Sequence, residues 1–121
     1  MKGSCLCGRV TFEASDRAEG YAICHCSQCR KQSGHVWASA HVRDEELTVT
    51  GDVRWYQSSE KAKRGFCPTC GAFLFWKHAD DDHTSFSLGS LETPTGARLK
   101  KHIFTGDKGD YYDIAGDLPQ S

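Results

Sequence analysis

The sequence predicts a mainly β, antiparallel domain with one short helix. Three observations lead there. Short stretches of alternating apolar and polar residues recur along the chain, and a period of two is a strand signal. Only one segment carries both a helix start and a helix stop. Seven cysteines in three tight groups offer cross-linking to a chain that is only 38% hydrophobic and so has a limited core. At 121 residues, one domain spanning 1–121 is expected.

The elements follow in order. "RVTFEA" (9–14) puts Val10, Phe12 and Ala14 on one face, as a half-buried strand does. "SQCRKQSG" (27–34) reads as a helix of at most about two turns, with Ser27 as N-cap and Gly34 as the stop. "HVWASAHV" (35–42), "LTVTG" (47–51) and "VRWYQ" (53–57) alternate, and Gly51-Asp52 reads as a hairpin turn between the last two. "AFLFWK" (72–77) is a dense aromatic run of strand type. "SFSLGSL" (85–91) and "KHIF" (101–104) are shorter candidates. "HADDDH" (78–83) reads as a polar hairpin loop rather than a metal site. "DKGDYYDIAGD" (107–117) is no EF-hand loop, because Gly109 and Tyr111 stand where oxygen ligands belong.

Charge excludes some functions. Fifteen basic and sixteen acidic residues leave a net charge of −1, so no basic field is available for nucleic acid. No stretch approaches transmembrane length, so no membrane partner is expected. The N-terminal "MKGSCLCGRV" carries no apolar signal core, and an odd cysteine count suits a disulfide framework poorly. A reducing compartment, the cytoplasm, is therefore expected, with the cysteines serving as metal thiolates.

Spacing sorts the seven. Cys67 and Cys70 form a C-x-x-C followed by Gly71, a knuckle in which backbone N–H groups can point at the thiolates. Cys5 and Cys7 are likewise followed by Gly8, and each pair feeds a strand. Pairing them makes a closed zinc site of Cys5, Cys7, Cys67 and Cys70 that staples the N-terminal strand to the middle of the chain; the alternative is buried, unligated thiols. Cys24, Cys26 and Cys29 remain. Three protein ligands with water or substrate in the fourth position is the pattern of a catalytic zinc. Two other readings stand beside it. His35, or less favourably His25 lying between two ligands, closes a second structural site; or the three thiols form a metal-free redox trio.

These motifs together carry a resemblance. "CLCGRV", "CHCSQCRKQSG", "RGFCPTCGAFLF" and "HIFTGDKGDYYDIAGDLP", in that order from Cys5 to Pro119, resemble the glutathione-dependent formaldehyde-activating enzyme family. The resemblance implies a β-tent-type fold with two zinc ions. It implies Cys5, Cys7, Cys67 and Cys70 as structural ligands, and Cys24, Cys26 and Cys29 as ligands of the catalytic zinc. It also implies a carbon–sulfur lyase that forms S-(hydroxymethyl)glutathione from glutathione and formaldehyde. Relatives with this domain include a chromosome-associated protein, so a non-catalytic zinc-binding interaction module is the alternative.

On the enzyme reading the partners are a small thiol, with glutathione as co-substrate, and a small electrophile. A glutathione pocket needs cations for two carboxylates, and Arg30, Lys31 and Arg64 lie close in sequence to the cysteines. For any one of them a solvated surface charge is the more common reading, since most lysines and arginines are exposed. Trp37, Trp55 and Trp76 either wall a pocket or fill the core. Ser33 matches a position of the family motif and also suits a helix end.

Overall fold

Alternating stretches form strands because each buries one face and leaves the other in water. The computed structural model describes residues 1–121. It contains β1 (Lys2–Ser4), β2 (Thr11–Ala14), β3 (Glu19–Cys24), α1 (Ser27–Ser33), β4 (Trp37–Arg43), β5 (Leu47–Thr50), β6 (Arg54–Gln57), β7 (Ala62–Phe66), β8 (Phe73–His78), β9 (His83–Ser87) and β10 (Lys101–Ile103). One sheet has the order β1-β2-β5; the other has the order β10-β3-β4-β9-β8-β7-β6. Every pairing is antiparallel except β10 with β3, which aligns Ile103 with Cys24 in parallel. The mainly β, largely antiparallel class with a single α-helix is as expected. No helix is long and apolar enough to cross a membrane.

The two sheets meet through phenylalanine. Phe12 on β2 lies edge-on to Phe75 of β8, with ring centroids 5.3 Å apart, and 5.7 Å from Phe86 of β9. Val10, Val42, Leu74, Phe75 and Phe86 are all essentially sealed from water. Each such side chain contributes on the order of 1.5–3 kcal/mol of hydrophobic stabilisation. Cys5 and Cys67 belong to this same apolar cluster, so one thiol centre is built into the core.

Four details differ from expectation. The hairpin at Gly51-Asp52 does not form, because β5 pairs with β2 while β6 pairs with β7. The chain instead leaves one sheet for the other there. Gly51 sits at φ +101°, and a Cβ on it would come 2.2 Å from the Arg9 carbonyl oxygen, so only glycine fits the crossing. The N-cap of α1 is Cys26 rather than Ser27, because the Cys26 sulfur accepts the Cys29 N–H at 3.3 Å and takes the role a hydroxyl usually plays. Gly34 does end the helix, in the left-handed conformation. "SFSLGSL" divides into the end of β9 and a 3-10 turn, Leu88–Ser90. Finally β1, β3 and β7 lacked a strand signal: β1 has three residues, β3 is irregular between Glu19 and Ala22, and β7 carries Lys63, Arg64 and Gly65.

"HADDDH" does link β8 to β9 as a hairpin. Asp81, Asp82 and His83 gather there, with His83 Nδ1 3.1 Å from Asp81 Oδ1 and 2.7 Å from Asp82 Oδ1. The hydrogen bond to Asp81, with help from the Asp82 charge, raises the His83 pKa above its ordinary 6.5. A raised histidine stabilises the fold below the unfolded value and loses that contribution as pH rises through the folded one. A proton-resolved NMR titration is expected to place His83 above 6.5, and Asp81→Asn to bring it back down. An unchanged His83 in the variant would refute the pairing.

Candidate metal centres

The first centre is two knuckles folded alike. Cys5 N–H donates to Val10 O at 2.9 Å, and Cys67 N–H donates to Ala72 O at 3.0 Å. Gly8 and Gly71 both turn with positive φ just beyond the second cysteine of each pair. Val10 N–H reaches Cys5 Sγ at 3.3 Å; Thr69 and Cys70 N–H reach Cys67 Sγ at 3.4 and 3.5 Å. Hydrogen bonding from the Ala72 backbone, with further help from neighbouring groups, brings Cys70 down to about 6. Cys5, Cys7, Cys67 and Cys70 place all four sulfurs within 4.8 Å of one another. Cys5 and Cys7 are 3.6 Å apart, and Cys7 and Cys67 are 3.8 Å apart. A tetrahedron with zinc–sulfur bonds of about 2.3 Å has edges of about 3.8 Å, so this set fits zinc.

The second centre sits where β3 runs into α1. Cys24 ends the strand, Cys26 caps the helix and Cys29 lies in its first turn. Their sulfurs also fall within 4.8 Å of one another, and no histidine nitrogen or carboxylate joins them. His25 points the other way: its Nδ1 is 2.5 Å from Tyr112 Oη and its Nε2 is 2.9 Å from His102 Nδ1. His35, the expected ligand of a closed site, instead holds Tyr111 Oη at 2.8 Å through Nδ1. Three clustered soft donors suit zinc with one position left over. The thiols are already polarised. The hydrogen bond from Cys24, opposed by burial and aided by Arg64, brings Cys29 down to about 6; the same Cys29 contact and burial drive the Cys24 thiol upward.

A cavity of about 390 Å³ opens over the three sulfurs. Trp37 and Trp76 wall it, Arg64 and Asp107 supply its charges, and Ile103 and Phe104 close one side. Trp37 is stacked on Phe73 with centroids 4.2 Å apart. Trp55, the third tryptophan, lies away from this cavity, half-exposed with Lys63 over its ring. A second cleft, shared through Gln28 and Arg64, adds Lys31, Gln32, Tyr56 and Ser58. The proposed cations therefore separate. Arg64 is buried beside Cys29, Lys31 is exposed on the neighbouring cleft, and Arg30 has a shielded Nε without a partner and does not line the cavity. Ser33 accepts the His35 N–H at 3.2 Å, a helix-end contact.

Neither Asp107 nor Phe104 stands out in the sequence as a site residue, nor do His102 and Tyr112, which meet His25, although all four lie in the tail that carries the resemblance. Their place depends on the parallel docking of β10 against β3, a pairing between segments some eighty residues apart. His25 N–H donates to Ile103 O at 3.0 Å, which draws the C-terminal segment across the mouth of the cavity.

Fold and centres together define a class: a two-sheet β protein that gathers its seven thiols into one four-sulfur and one three-sulfur site. The chain belongs to the glutathione-dependent formaldehyde-activating enzyme family, whose model matches residues 1–107. It is similar to an uncharacterized lyase of Schizosaccharomyces pombe, 26% identical over 121 residues, covering 94% of this chain and 85% of that protein. It is also similar to the crystal structure of a Rhodobacter sphaeroides protein, at 27% identity and a TM-score of 0.61, covering 100% of both chains.

Proposed function

We propose that residues 1–121 form one domain acting as a zinc-dependent carbon–sulfur lyase, which activates glutathione or a similar thiol for reversible addition to a small electrophile such as formaldehyde. Family membership and the lyase name of the yeast relative support the broad activity. One observation carries the specific reading: Cys24, Cys26 and Cys29 gather at the floor of a cavity with no fourth protein ligand among them. Cys5, Cys7, Cys67 and Cys70 hold the structural zinc on this reading. Zinc on the three-sulfur site would supply a Lewis acid that lowers the pKa of an incoming thiol.

The chain's own residues do the rest. Trp37 and Trp76 exclude water from one side of the reacting sulfur and fix where a small electrophile can lie. The thiol sulfur adds to the carbonyl carbon, a carbon–sulfur bond forms, and the carbonyl oxygen takes the proton that the thiol gave up. The reverse reaction returns thiol and aldehyde. On this reading Lys31, exposed on the adjoining cleft, attracts a carboxylate of the thiol, Arg64 adds positive charge beside it, and Arg30, outside both linings, contributes only at longer range. The interaction-module alternative expects His35 on the metal, and its ring is held by Tyr111 instead.

Calorimetric titration of the zinc-loaded protein with glutathione and with its S-methyl derivative tests this. Binding a thiol as thiolate releases a proton, so glutathione affinity is expected to rise with pH, whereas the S-methyl form binds weakly throughout. Equal binding of the two would remove the metal as the thiol's anchor.

A further inference from the structure

Arg64 is the one lysine or arginine of the chain that is buried, at 5% exposure. A charge removed from water needs a partner, yet every ion pair in the protein joins other residues. Its Nη1 donates to Cys29 Sγ at 3.6 Å and to the neutral Gln32 Oε1 at 3.2 Å. Its guanidinium carbon lies 5.4 Å from the Phe73 ring centroid, and its Nε is shielded without an acceptor. Besides Gln32, the acceptor its guanidinium reaches is the Cys29 sulfur, one of the three gathered at the open centre. The strand that holds Arg64 is β7, which runs on directly to Cys67 of the other centre, so the position of Arg64 is anchored at the closed knuckle.

The charge balance gives this contact a purpose. A divalent ion with three thiolates carries one surplus negative charge, and an anionic fourth ligand would make it two. A fixed guanidinium beside one of the sulfurs cancels one of them. Charged hydrogen-bond donors around metal ligands tune affinity in this way. We infer that Arg64 is the positioning residue of the three-sulfur centre: it donates to the Cys29 sulfur, fixes its place and offsets the surplus charge, so that the centre keeps its metal and admits a thiolate in the fourth position. This goes beyond carboxylate capture, and it rests on the reading that a divalent metal occupies Cys24, Cys26 and Cys29.

The test uses the full chain loaded with cobalt(II) at both centres. Chelator competition reads metal affinity, and titration with 2-mercaptoethanol, which has no carboxylate, reads the fourth position through the sulfur-to-cobalt absorption band. In R64M the three-sulfur cobalt is expected to yield to chelator about 10–100-fold more readily, and the mercaptoethanol affinity to fall about tenfold or more. R64K keeps the charge without the planar fork, and it is expected to recover most of the thiol affinity. The four-sulfur band serves as the control for folding; R64Q repeats the comparison should R64M lose that band. Neutral variants that match wild type in both readouts overturn the inference while leaving the open site standing. A wild-type protein that takes up one cobalt only overturns both.

Discussion

Cys67→Ala is expected to leave the chain unfolded or insoluble, the largest effect of any single substitution. The Cys67 sulfur is fully buried, inside the core cluster that also contains Phe75 and Phe86. Alanine strands the Thr69 and Cys70 N–H groups that point at that sulfur, and breaks the only four-sulfur set. Zinc at such a site contributes an apparent 10–16 kcal/mol, roughly, to folding at neutral pH. A domain has about 5–15 kcal/mol of net stability. The loss is therefore of the same size as the whole net stability of the domain. Soluble yield and a circular-dichroism melt check this, and a variant that melts like wild type would sink the assignment of Cys5, Cys7, Cys67 and Cys70 as the staple.

On the proposed two-zinc reading, Cys26→Ser should do the opposite: abolish thiol binding and cut the zinc content from two ions to one, with the fold kept. Cys26 has two roles, since its sulfur belongs to the three-thiol centre and also caps α1. Serine is a good N-cap, so the helix start survives the exchange. Cys26→Ala removes both roles and is expected to cost about 1 kcal/mol more in stability than the serine variant. Metal analysis beside calorimetric titration with glutathione separates the two. The same logic predicts that mild chelation strips one zinc from wild type first, because that ion has a ligand fewer. Simultaneous loss of both metals together with structure would contradict the open site.

Much of this was legible in the sequence because it is local. Val10, Phe12 and Ala14 alternate and all three are buried, Phe12 against the Phe75 and Phe86 rings, and alternation reports that directly. The cysteine pairs were readable because knuckle geometry needs close spacing and a following glycine. Partnership across the sheets was not. "LTVTG" and "VRWYQ" look like two halves of a hairpin, and only the pairing of β5 with β2 and of β6 with β7 shows that they belong to different sheets. Arg64 likewise looks like an ordinary surface cation between Lys63 and Gly65. Its burial depends on Cys29 and Gln32, which arrive from α1 more than thirty residues earlier. Asp107 and Phe104 reach the cavity only through the parallel pairing of β10 with β3, and short parallel strands leave little periodic trace.

The four-sulfur staple also sets a timetable. Cys7 and Cys67 are 60 residues apart. At a synthesis rate of about 5–20 residues per second, the N-terminal knuckle waits roughly 3–12 s before its partner is made. During that interval Cys5 and Cys7 are a two-thiol half-site on a nascent chain, with Phe12 as yet without Phe75 or Phe86 to pack against. The half-site is open to oxidants and to any soft metal with fast exchange. Brief alkylation of ribosome-bound chains is expected to label Cys5 and Cys7 strongly when synthesis is halted before Cys67, and weakly once the second knuckle has emerged. On the proposed zinc-bound reading, this centre is therefore most exposed to oxidation while the chain is still being made, and the supply of zinc at the ribosome, more than its supply later, is expected to decide how many chains mature.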